Sequence, residues 1–71
     1  MLAIFTTAAD RIVAIRDAMD KRDGGKHSPV IVWPCGLGNT QAAAEGPPQQ
    51  VMFLIGEVAA QGESCLLTVN P

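Results

Sequence analysis

A glycine-bearing loop is the first feature of this sequence that could bind a ligand. It contributes four candidate donors, Gly36, Gly38, Asn39 and Thr40. Backbone N–H groups in such loops can hold an anion, and Lys26 or His27 could supply a counter-charge. The loop lacks the lysine of a Walker motif and the third glycine of a dinucleotide fingerprint. An ordinary turn-rich connection is therefore the leading interpretation, and a phosphate-bearing ligand or nucleotide is the alternative.

Nucleophilic catalysis has few candidate residues. His27 is the only histidine, and a general base also needs an oriented partner and a substrate pocket. Cys35 and Cys65 stand far apart, without the CxxC pairing of a zinc or redox site and without a signature of a catalytic thiol. We therefore expect a surface histidine, two structural thiols that are either free or bridged, no enzymatic activity and no cofactor.

Three aspartates, Asp17, Asp20 and Asp23, have a spacing that could suggest a cation site. Calcium and magnesium sites need several converging oxygens. Basic residues are interspersed with these aspartates and neutralise their charge, so the sequence predicts no metal site.

Four residues are candidates for a protein interface: Trp33, Phe53, Ile55 and Glu57. Tryptophan serves both as a core anchor and as an interface hot spot, and the apolar neighbours of Trp33 favour the core. Glu57 interrupts an apolar run, so its carboxylate must face water, pair with a base or meet a partner. An outward-pointing position on a strand is the simplest interpretation of Glu57.

The elements that position these residues begin with one amphipathic helix. Its apolar stripe is Ala8, Ile12, Ile15 and Met19, widened by Val13. Thr7 is expected to cap the first turn, and Gly24 and Gly25 are expected to end the helix. Pairs of opposite charge at i,i+4 spacing, Arg16 with Asp20 and Asp17 with Lys21, predict a solvated outer face.

The remaining elements are predicted to be strands. Residues 1–5 are a short apolar run that forms either a first strand or a hydrophobic lead-in to the helix, and residues 30–33 form a β-branched strand inside the sheet. Residues 35–50 read as a long connection in which 41–45 could form one helical turn. Residues 51–60 favour a strand that makes a hairpin with residues 65–69, although a helix over 49–61 is the alternative.

Size and composition limit the classes of protein that this chain can be. With 71 residues, 48% of them hydrophobic and 17% charged, it should fold as a single domain over 1–71 with a thin core. A net charge of −2 disfavours nucleic-acid binding. The longest apolar run is too short to span a membrane, and no export signal is visible, so we expect a cytoplasmic protein.

Together these features predict an α+β domain with one helix packed on a small, mainly antiparallel sheet. The predicted strands carry more apolar surface than one helix can cover. We therefore expect a homodimer that binds a protein target through a sheet face or the 35–50 loop, as an inhibitor or adaptor of the kind encoded by phages and other mobile elements. The alternative is a small-ligand binding or sequestering protein that uses the Gly36 to Thr40 loop.

Overall fold

The computed structural model describes residues 1–69 and contains two helices and four strands. In chain order these are β1 (Leu2–Phe5), α1 (Ala9–Arg22), β2 (Ile31–Cys35), β3 (Gln41–Glu45), α2 (Pro48–Ala60) and β4 (Cys65–Val69). One turn of 3-10 helix, Leu37–Asn39, separates β2 from β3. The predicted α+β class is confirmed, with one helix more than the sequence suggested and four strands as predicted, although residues 41–45 take the place of 51–60 among them.

The four strands form a single sheet in the order β2-β3-β1-β4. Every neighbouring pair is antiparallel, so β1 and β3 are central while β2 and β4 are the edges. The chain order β-α-β-β-α-β with this strand order is the ferredoxin-like topology. That topology occurs in proteins of many functions and therefore identifies none.

Both helices lie on the same face of the sheet. The core cluster combines Ala3 and Phe5 of β1 with Ala42 and Ala44 of β3, and these residues share one face because strand side chains alternate. Residues of both helices complete this cluster: Ala9, Ile12, Ile15, Met19, Val51, Leu54 and Val58. The helices also pack against each other, so together they form one layer above the sheet.

The first helix follows its predicted stripe but not its predicted cap. Ile12, Ile15 and Met19 are buried, and the helix ends before Gly24 and Gly25, whose φ angles of 74° and 90° favour glycine. The prediction that Thr7 caps the first turn was wrong, because no side chain of residues 1–69 caps the start of α1. The Thr7 hydroxyl instead donates to Glu63 Oε2 at 2.6 Å, because the chain after α2 returns beside the start of α1.

The predicted i,i+4 pairs on α1 are replaced by other contacts. Arg16 pairs with its neighbour Asp17 at 2.6 Å and also donates to the carbonyl of Val30 at 2.6 Å. Asp20 Oδ1 accepts from the backbone N–H of His27 at 2.8 Å. Both side chains thus fasten the connection between α1 and β2 to the helix.

Residues 51–60, predicted as a strand, belong to α2. The buried positions Val51, Leu54 and Val58 recur at the three-to-four spacing of a helix, and Pro48 occupies the first turn, where a proline is favourable. Gly56 is exposed, with nothing in the described chain near its missing side chain, so the helix tolerates it. The apolar periodicity therefore outweighs the β-branched residues that favoured a strand.

The other corrections concern the sheet. Residues 41–45 form the central strand β3 rather than a helical turn, because three consecutive alanines fit a strand that is buried on both faces. The strand predicted for residues 30–33 is observed as β2, which begins one residue later and ends two residues later. It lies at an edge of the sheet rather than inside it. The last strand β4 pairs with β1, so the predicted C-terminal hairpin does not form.

Candidate functional site

The face of the sheet turned away from the helices is the first candidate site. No helix of residues 1–69 covers it. Strand register places two rows across this face: Ile31, Glu45, Leu2 and Val69 in one, and Trp33, Ala43, Ile4 and Leu67 in the next. These eight residues are called the open face below, and six of them are large and apolar.

Exposure distinguishes the open face from an ordinary sheet surface. Ile31 is 63% exposed, Trp33 is 38% exposed, and Leu67 and Val69 are exposed to a similar degree. Leu2 and Ile4 on the central strand are half-buried. Within these two rows Glu45 carries the one charge. The arrangement can bury apolar surface against a partner, and it offers little for polar recognition.

Trp33 was expected in the core and lies on this face instead. The expectation failed because it assumed that β2 was covered on both faces, whereas both helices pack on the opposite face of the sheet from Trp33. The other members of the open face were not singled out from the sequence. In the sequence these residues stand two positions apart within each strand, at 2 and 4, 31 and 33, and 67 and 69, which is the spacing of side chains on one face of a strand. The strand pairing is needed to show that the three pairs share the same face of the sheet.

The Gly36 to Thr40 segment forms the tight connection between β2 and β3. Gly36, Gly38 and Asn39 have φ angles of 80°, 68° and 57°, and the Thr40 hydroxyl donates to the Leu37 carbonyl at 2.9 Å. These contacts are typical of a turn that closes a hairpin. Leu37 lies in this turn, and its side chain is almost fully exposed.

Lys26 and His27 do not join that turn in one site. They precede β2, whereas Gly36 follows it, and the five residues of the strand span roughly 15 Å. The structure therefore divides the predicted anion site into two separate regions, and it places no predicted counter-charge beside the turn.

His27, expected on the surface, is only 4% exposed. Its Nε2 lies 2.9 Å from Asp23 Oδ2, and its ring meets Phe53 edge to face at a centroid distance of 5.7 Å. It lines a pocket of about 490 Å³ at the end of α1 and the start of α2, together with Asp23, Lys26, Gln49, Gln50 and Phe53. This pocket is called the α1–α2 pocket below.

The interface candidates of the apolar run are separated by their positions on α2. Phe53 is exposed beside the α1–α2 pocket, whereas Ile55 packs against the core. Glu57 Oε2 lies 3.5 Å from Arg22 Nη2, so it is not an outward-pointing strand residue. Phe53, Ile55 and Glu57 would share one face of a strand, but on a helix residues two positions apart point in different directions. They therefore do not form a shared sheet interface.

The cysteines are too far apart to bridge. Cys35 is on β2 and Cys65 is on β4, at opposite edges of the sheet, and both are free. Three strand spacings separate these edges by about 14 Å, about twice the largest Cα separation of a disulfide. Over residues 1–69, no group of three or more His, Cys, Asp or Glu side chains is placed to hold a metal ion.

Comparisons with known proteins give no significant similarity to a protein-family model, a curated protein or a solved structure. Neither of the two described helices has the length and apolar character that crossing a membrane requires.

Proposed function

We propose that this chain is a non-enzymatic protein-binding module that associates with a second copy of itself through the open face. The observation that carries the proposal is the set of six large apolar side chains on a sheet face that α1 and α2 leave uncovered. The largest contiguous apolar patch on a soluble monomer is commonly about 300–600 Å² and is often functional, and the open face is of this order.

The composition of the open face supports a protein partner rather than a polar ligand. Charged residues are depleted in the centre of protein interfaces, while tryptophan is enriched there. Glu45 lies in the row of Ile31 and Leu2, and the row of Trp33 and Leu67 has no charge. Sheets that pack face to face interdigitate such apolar rows at a separation of about 10 Å.

Size favours a second copy as the occupant. A 71-residue chain builds a thin core, and a symmetric dimer would add the burial that its fold lacks. Four strands about 4.8 Å apart and about five residues long give a projected face on the order of 300 Å². A contact of that size is below the area that stable complexes bury, so the dimer should be weak and should dissociate reversibly on dilution.

Face-to-face dimerisation has a consequence for any further target. The two sheets would be buried in the centre, and the α1 and α2 layers of both copies would form the outer surfaces. A target of an inhibitor or adaptor would then meet the helices or the turn that includes Leu37.

Sedimentation velocity over a range of micromolar concentrations tests the proposal. We expect the mass of the wild-type protein to rise from 7.4 kDa toward twice that value. Ile31→Lys should remain monomeric, because it places a charge in the apolar contact. Met52→Lys is the matched control, since Met52 is 61% exposed and belongs to α2 in the opposite layer. A wild-type monomer at every concentration, or an Ile31→Lys dimer as stable as the wild-type dimer, would contradict the proposal.

A further inference from the structure

The α1–α2 pocket has the size of a small-molecule site. Its volume of about 490 Å³ falls within the range of roughly 300–1,000 Å³ that such sites occupy. It lies on the helical side of the molecule, so its occupancy is independent of the open face. Polar groups from two elements converge there, because the connection after α1 runs beside the first turn of α2.

The first turn of α2 offers unused hydrogen-bond donors. Pro48 has no N–H group, and the Val51 N–H donates to the Pro47 carbonyl at 3.1 Å. Gln49 and Gln50 lie between them, and their N–H groups have no acceptor within the helix. No side chain among the described residues caps this end, which carries the positive pole of the helix dipole. The first turn of α2 can therefore bind a negative group through its free N–H groups and the positive end of the helix dipole.

An independent observation comes from the imidazole of His27. Its Nδ1 is the one buried side-chain nitrogen or oxygen in the described chain that has no hydrogen-bond partner. A buried polar atom without a partner is energetically costly, and its presence calls for an explanation such as a bound water, ion or ligand. Nε2 already lies 2.9 Å from Asp23 Oδ2, so Nδ1 is the ring nitrogen that still lacks a partner among residues 1–69, in a residue that lines the pocket.

Charge and apolar surface define the rest of the ligand. Lys26 lines the pocket and carries a positive charge, while the carboxylate of Asp23 is already paired with His27 and Arg22. An apolar hollow of about 370 Å³ adjoins the pocket and shares Gln49 and Phe53 with it, with Met52 as the further lining residue. A ligand that fills both hollows has an anionic head and an apolar body.

We propose that the α1–α2 pocket binds a small organic anion. Its phosphate or carboxylate group is held by Lys26 and the N–H groups of Gln49 and Gln50, and its apolar part lies on Met52 and Phe53. This site is distinct from the Gly36 to Thr40 turn, and it does not depend on self-association through the open face.

Titration of the ¹⁵N-labelled protein with phenyl phosphate, followed by amide NMR spectra at constant ionic strength, tests this site. We expect saturable shifts at Gln49, Gln50 and His27, and weaker binding of inorganic phosphate, which lacks the apolar part. Benzyl alcohol, which lacks the charge, should cause little change. Sodium benzoate in place of phenyl phosphate tells whether the site prefers a carboxylate or a phosphate.

Two lysine variants provide the matched comparison. Lys26→Met should weaken phenyl phosphate binding about tenfold, whereas Lys21→Met, an exposed lysine on α1 outside the pocket lining, should bind as the wild type does. Ile31→Lys should also bind normally, which separates this site from the open face. Equal affinity of the two lysine variants, shifts spread evenly over the surface, or equal shifts with benzyl alcohol would overturn the proposal.

Discussion

Trp33 of β2 and Ala43 of β3 are directly opposite each other on the open face, and Ala43 is only 4% exposed although α1 and α2 lie on the other side of the sheet. Ala43 also pairs with Ile4 of β1, so its methyl group lies between two larger side chains. Trp33 and Ile4 shield Ala43 from solvent, while they remain partly accessible themselves. The open face is therefore a packed apolar surface without a cover, which is why it could accept a second sheet.

The helical periodicity of α2 predicts very different costs for two neighbouring residues. Leu54 is fully buried, so Leu54→Ala should destabilise the fold by about 2–5 kcal/mol. Phe53 is exposed, and Phe53→Ala should cost less than about 1 kcal/mol, mainly through its contact with His27. Urea unfolding followed by circular dichroism measures both costs, and equal values would contradict this helical register.

The hydrogen bond between Thr7 and Glu63 should stabilise the contact between the start of α1 and the chain after α2. Thr7→Val removes a part-buried charge-assisted bond and should cost about 1–2 kcal/mol. Thr6→Val removes only a long, exposed bond of 3.4 Å to the Ser64 carbonyl and should change stability by less than about 0.5 kcal/mol. A double-mutant cycle of Thr7→Val with Glu63→Gln should give a coupling above about 0.5 kcal/mol. A cycle without coupling would indicate that Thr7 acts elsewhere, as a helix cap for instance.

Two glycine substitutions should change stability in opposite directions. A Cβ at Gly46 would lie 3.0 Å from Val30 Cα and 3.2 Å from the Pro29 carbonyl oxygen, so Gly46→Ala should cost about 1–3 kcal/mol. Gly56→Ala, at an exposed helical position with free space, should add about 0.5–1 kcal/mol of stability. Thermal and urea unfolding of both variants measure this contrast. If Gly46→Ala left the free energy of unfolding unchanged, Gly46 would pack less closely against Pro29 and Val30 than the structure shows.

The sequence was sufficient to locate α1 and the approximate positions of β1, β2 and β4. It failed where local preference and tertiary packing disagree. Val51, Ile55 and Val58 are β-branched and favoured a strand, yet the burial of 51, 54 and 58 against the sheet selects a helix. The alanines at 42, 43 and 44 have helical propensity, yet they form a central strand in which Ala42 and Ala44 pack into the core and Ala43 lies between Trp33 and Ile4 on the other face.

The candidate sites were only partly visible in the sequence, for a similar reason. An excess of apolar strand surface was predicted from residues 30–33, 51–60 and 65–69, but 51–60 belongs to α2, and the apolar residues of the open face lie on β1, β2 and β4. Their location required the strand order, which local patterns do not encode. Lys26 and His27 were identified as ligand candidates, whereas Gln49 and Gln50 were not, because the pocket depends on α2 as a helix. His27 was expected at the surface because its polar neighbours in sequence do not reveal that Asp20, Asp23 and Phe53 enclose it.

The most direct test of the open face uses Trp33, the only tryptophan of the chain, as a fluorescent probe. Its emission maximum and its quenching by acrylamide are measured while the wild-type protein is diluted through the micromolar range. If a second copy covers the open face, emission should shift to shorter wavelength and quenching should fall as concentration rises, in step with the doubling of mass. If the emission and the quenching stay constant while the mass doubles, the copies meet elsewhere and the account of the open face is wrong.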